Sequence, residues 1–113
     1  MQCLINENNV IELKLYDIKR EDGDWFSLSA QIYNSELILF QHDFSKLHED
    51  MFGDEECETY FVFDEENTNK LFDLFKTKDL LTSLYNYFDG EMRDLEFYEY
   101  CKTNEIEYKR IVR

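Results

Sequence analysis

The sequence predicts an α+β fold, with an antiparallel β-meander of about four to five strands in the N-terminal half. About three helices follow, packed on one face of the sheet, and a closing segment reads as a C-terminal strand or extended arm. Apolar residues recur at every second position up to about residue 63, and the period changes to 3.6 from about residue 67. Strands come first and helices after, without alternation, which is the order of an antiparallel sheet with helices gathered on one side. No proline, repeat or low-complexity linker divides the 113 residues, so residues 1–113 read as a single domain.

Cys3 to Ile5 reads as a short strand, set off by the turn-like Asn6-Glu7-Asn8-Asn9. In Val10 to Ile18, Ile11, Leu13 and Leu15 share one face while Glu12 and Lys14 share the other, a half-buried strand. Asp22-Gly23 is a hairpin signal, because both residue types tolerate the left-handed backbone that a tight turn demands. Trp25 to Tyr33 alternates again, Phe26, Leu28, Ala30 and Ile32 inward and Ser27, Ser29 and Gln31 outward. Asn34-Ser35 is a second tight turn, and Glu36 to Phe44 is apolar on both faces, as a central strand is. Ser45 to Met51 reads as a helical turn, Phe52-Gly53-Asp54 breaks it, and an acidic loop leads to a fourth long strand at Thr59 to Phe63.

Asn67 or Thr68 is expected to cap a helix bearing Leu71, Leu74 and Phe75. Thr77 or Asp79 caps a second, in which Leu81, Leu84, Tyr85 and Phe88 follow the i, i+3, i+4, i+7 pattern until Asp89-Gly90. Glu91 to Thr103 is a third, with Met92, Leu95, Tyr98 and Cys101 assigned to its apolar side and Asn104 as its stop. The tail to Val112 alternates Ile106 and Tyr108 with Glu107 and Lys109.

Composition narrows the function. Apolar residues make up 43% of the chain and aromatics 17%, a globular proportion rather than that of an acidic disordered chain. No run approaches the roughly 18–20 apolar residues of a membrane span, and the N-terminus lacks the basic and apolar regions of a signal peptide, so a cytoplasmic protein is expected. Cys3, Cys57 and Cys101 are too widely spaced for a CxxC metal site and odd in number, which suits reduced thiols.

The formal charge is −14, and −9 of it lies between Glu49 and Glu66, where no Lys or Arg interrupts Glu49, Asp50, Asp54, Glu55, Glu56, Glu58, Asp64, Glu65 and Glu66. Such a chain repels nucleic-acid backbone and anionic membrane surfaces. It attracts a basic protein, mostly by speeding encounter. A charge spread evenly would mean solubility alone. One concentrated in eighteen residues points to a partner.

Chemistry has little support. His42 and His48 stand six apart across a strand–turn boundary, which matches no recurrent metal-ligand spacing. Asp54, Glu56 and Glu58 alternate as in a calcium loop, but Gly53 precedes the acids instead of standing among them. With three glycines and no GxGxxG or GxxxxGK[ST], no phosphate-cradling loop is present. No catalytic residue, metal site or cofactor is expected. Trp25 opens a strand on its polar face and is either core, if helices cover both faces, or an interface anchor, if one face is open.

In the order of these features, from Val10–Ile18 and the run Gly-Asp-Trp-Phe at Gly23–Phe26 through the acid-rich middle and paired helices to the close Cys-Lys-Thr-Asn-Glu-Ile-Glu-Tyr at Cys101–Tyr108, the chain resembles a known group. That group is the small acidic immunity proteins of bacterial toxin–immunity systems, contact-dependent inhibition and related polymorphic toxins among them. The resemblance implies a non-catalytic cytosolic protein that binds one basic toxin nuclease domain and blocks its active or substrate-binding surface. Asp54, Glu55, Glu56 and Glu58, with Glu49, Asp50, Asp22, Asp24 and Trp25, are the residues expected to meet that partner. Other readings stay open. They are a phage-type nucleic-acid mimic that inhibits a defence nuclease, a small enzyme or metal-binding domain using His42 or His48, and an acidic domain whose charge serves solubility.

Overall fold

A computed structural model describes residues 3–5, 11–21, 23–44 and 56–112 of the chain. Among these residues the order is β1 (Cys3–Ile5), β2 (Ile11–Lys19), β3 (Trp25–Tyr33), β4 (Glu36–Phe44), β5 (Glu56–Phe63), α1 (Glu65–Phe75), α2 (Leu80–Phe88), α3 (Asp94–Thr103) and β6 (Lys109–Val112). The strands form one antiparallel sheet in the order β1-β2-β3-β4-β5-β6, so the chain is α+β, with its last strand returned to the sheet edge beside β5.

The meander follows from its turns and alternation. Asn34 and Ser35 both take positive φ (51° and 65°) between the paired residues Tyr33 and Glu36, the left-handed two-residue turn whose twist matches that of the strands. Gly23, at φ 96°, sits in the β2–β3 connection, which is closed by Arg20 N–H to the Asp24 carbonyl at 2.8 Å. Leu28, Ala30, Leu37, Leu39, Phe61 and Phe63 occupy one face and are buried beneath Leu71, Leu80, Leu84, Phe88, Phe97 and Cys101 of the helices. The sheet register shifts between Lys14 and Tyr16, so that Leu15 (1% exposed) and Tyr16 (2%) both reach the core. Simple alternation through β2 does not anticipate this bulge.

Three local expectations change. Strand β5 starts at Glu56 rather than Thr59, so Glu56 and Glu58 belong to the sheet and not to a loop. Asp64, not Asn67 or Thr68, caps α1, accepting from Asn67 N–H at 2.8 Å. Thr68 is instead buried within the first turns, where its hydroxyl accepts from Leu37 N–H and donates to the Phe63 carbonyl, both at 3.0 Å. Helix α3 begins at Asp94, three residues later than expected, so Met92 precedes it, and the helix buries Phe97 and Cys101 while Leu95 is exposed. The expected caps Asp79 for α2 and Asn104 for α3 are present. The predicted helical turn at Ser45 to Met51 lies outside the described residues.

Candidate interaction surface

The three described helices lie on one side of the sheet, and the opposite side carries the residues of the other parity. Register places Lys14, Asp17 and Lys19 of β2, Trp25, Ser27 and Ser29 of β3, Phe40, His42 and Phe44 of β4, and Glu58 and Tyr60 of β5 on that side. None of Trp25, Ile38, Phe40, Tyr60 or Val62 belongs to the helix-covered core or packs against it. Trp25 is half-buried.

Four rings run across this face. Trp25 meets the edge of His42 at 4.9 Å, His42 stacks on Phe40 at 5.9 Å, and Phe40 tilts against Tyr60 at 4.8 Å. Ser27 and Ser29 stand beside the row and are only 5% and 6% exposed.

Trp25 is fixed from two directions. Its indole N–H donates to Asp17 across the hairpin, and Lys19 Nζ stands 5.9 Å from the ring centroid. The indole bond, first, and the Lys14 ammonium 3.4 Å away hold the Asp17 carboxyl below the usual carboxylate range. A tryptophan so held keeps its rotamer in the free protein, which reduces the entropy lost on binding. Sequence reasoning did not single out Asp17 or Phe40 for this surface, whereas Tyr60 raises the same core-or-interface question as Trp25. The pairing Lys19↔Trp25 identifies Asp17 only once the hairpin register is known.

Of the expected partner-binding residues, Asp24 and Trp25 line one shallow cavity of about 380 Å³ with Lys19, Arg20, Gly23 and Phe44. Glu58 faces the same side two strands away, opposite His42, with no ion pair among the described residues. Glu56 pairs in register with Phe44. Asp22, Glu49, Asp50, Asp54 and Glu55, and the second histidine His48, lie outside the described residues. Residues 45–55 connect Phe44 to Glu56, which share one pairing row with Trp25, so Trp25 stands at the end of the sheet where the acid-rich connection is attached.

Among the described residues no group of three or more His, Cys, Asp or Glu side chains is placed to hold a metal ion, and no helix is long and apolar enough to cross a membrane. Comparison with protein-family models, with curated proteins and with solved structures returned no match.

Proposed function

We propose that the chain is a non-catalytic inhibitor that binds and neutralises a basic protein, an immunity protein against a toxin nuclease. The observation that carries this reading is the aromatic row Trp25–His42–Phe40–Tyr60 on the face that none of the described helices covers, ending where the acid-rich connection leaves the sheet. Desolvated aromatics supply most of the binding energy at protein interfaces, and surrounding carboxylates supply speed and choice of partner. The acids of residues 49–58 would face the Lys and Arg groups with which a nuclease holds its substrate.

The nucleic-acid mimic is less well supported. Among the described residues on the face opposite the described helices, Glu12, Asp17, Glu36 and Glu58 are interleaved with Lys14, Lys19 and Lys109, whereas a mimic of a phosphate backbone calls for a long stripe of one sign.

Co-expression tests the proposal. The product of the neighbouring reading frame is expected to arrest growth alone and to be silenced by this chain. Trp25→Ala should weaken the protection while leaving the fold intact. A neighbouring product that is harmless, or equally toxic with and without the chain, contradicts the reading.

A further inference from the structure

Where the three described helices come together, the ends of two and one side of the third enclose a cavity of about 380 Å³, lined by Phe75, Tyr87, Glu96, Glu99, Tyr100 and Thr103. Phe75 is the last residue of α1 and Tyr87 the last but one of α2. Glu96, Glu99, Tyr100 and Thr103 stand at i, i+3, i+4 and i+7 in α3, so they share one side of it. The volume falls within the range of small-molecule sites, about 300–1,000 Å³.

Three of the lining residues are aromatic. The Phe75 ring meets Tyr87 at 5.9 Å and Tyr100 at 6.3 Å, with interplanar angles of 81° and 74°. Neither tyrosine stacks flat on Phe75, so ring faces are left to wall the cavity. Phe75 and Tyr87 pack in part against the core, whereas Tyr100 is 40% exposed and belongs neither to the core nor to the residues packed on it. The Tyr87 hydroxyl donates to Glu96, which fixes that ring and engages that carboxylate. The Glu99 carboxylate has no ion pair or hydrogen bond among the described residues, and the lining contains no Lys or Arg.

These features select a ligand. The face of an aromatic ring is the negative part of its quadrupole, so three rings beside carboxylates favour a cation over an anion or a neutral apolar group. A primary ammonium is strongly hydrated and needs acceptors for its three donors, and a guanidinium needs acceptors in its own plane. With Glu96 held by Tyr87, Glu99 alone serves neither well. A quaternary ammonium has no N–H to satisfy and exchanges water for ring faces at little cost.

We infer that this cavity is an aromatic cage for a quaternary ammonium group, with Phe75, Tyr87 and Tyr100 as its walls and Glu99 as the countercharge. Free choline-type molecules and trimethylated lysine side chains carry the same head group. The cage lies among the helices, on the side of the sheet opposite Trp25, and takes its ligand whether or not a protein occupies the Trp25 face.

The test titrates the full chain at constant ionic strength while its aromatic ring protons are followed by NMR. The probes are choline, the uncharged isostere in which tert-butyl replaces trimethylammonium, and a peptide bearing trimethyl-lysine. The expected result is saturable shifts at Phe75, Tyr87 and Tyr100 with choline or the peptide, at an affinity at least about 10-fold above that of the isostere. The tighter of the two identifies the source of the group, a small molecule or a modified protein. Tyr100→Leu should weaken binding about 10-fold, and Tyr100→Phe should preserve it. Both should leave the melting temperature unchanged, because Tyr100 stands outside the core. Equal affinity for the isostere, shifts confined to other rings, no binding of choline or peptide, or an unaltered affinity in Tyr100→Leu overturns the cage. Each of those results leaves the proposed function standing.

Discussion

Tyr16 donates its hydroxyl to Asp94 at 2.8 Å, tying strand β2 to the first turn of α3. Burial is the main reason that the Asp94 carboxyl is held above the usual carboxylate range, with the Tyr16 bond opposing it. Burial, and then the charge of Asp94, push the Tyr16 phenol upward in turn. The bond orients α3 on the sheet but leaves a charge in a poorly solvated position.

A carboxyl whose folded pKa lies above its unfolded value stabilises the fold below the unfolded pKa, and that contribution is lost as pH rises through the folded value. Asp94→Asn keeps an acceptor for Tyr16 and removes the charge. Urea unfolding is expected to find the variant at least as stable as the wild type at pH 7, with the wild type regaining ground toward pH 4. A variant losing more stability at pH 7 than at pH 4 would mean that the charge is favourable in place.

Thr68 joins helix to sheet through a buried hydroxyl that serves both Leu37 N–H and the Phe63 carbonyl. Thr68→Val preserves the shape and deletes both bonds, leaving a buried donor unsatisfied, at an expected cost of about 1–3 kcal/mol. Thr68→Ser keeps the hydroxyl and should cost less. Chemical denaturation of the two variants checks the order.

Trp25→Phe retains a ring opposite His42 but removes the indole donor to Asp17. Because that donor is the largest influence lowering the Asp17 carboxyl, its titration, followed by carbon-13 NMR, should move up toward the ordinary carboxylate range. In the wild type the lowered carboxyl stabilises the fold above the unfolded pKa and loses that effect as pH falls through the folded value. An unmoved titration would show that Lys14 dominates.

Cys101 is fully buried, and burial pushes its thiol up to about 12, whereas Cys57 is half-buried. Thiolate-directed labelling at neutral pH is therefore expected to spare Cys101 until the protein unfolds and to reach Cys57 first. Labelling of Cys101 at the rate of Cys57 in the folded protein would indicate that α3 opens readily.

Much of the fold was legible in the sequence because the signals were local. The period-two runs, the Asn34-Ser35 turn and the caps Asp79 and Asn104 depend on neighbouring residues alone. What was hidden depends on tertiary register. The bulge that buries both Leu15 and Tyr16 answers to β3, and α3 turns Phe97 and Cys101 inward because the core closes around Phe63 and Phe88, leaving Leu95 in solvent. For the candidate surface, Trp25 and Glu58 could be singled out by residue type, but their place on one ring-lined face with Asp17, His42 and Phe40 needed the pairing of four strands.

The most direct measurement is capture of the partner by the full chain at low and high salt, beside a variant with Asp54, Glu55, Glu56 and Glu58 changed to Gln or Ser. The account predicts retention of one basic, nuclease-like protein at low salt, inhibited by the wild type and lost or slowed in the variant. No partner for either chain at either salt would mean that the acidic stretch serves solvation and that the binding account is wrong.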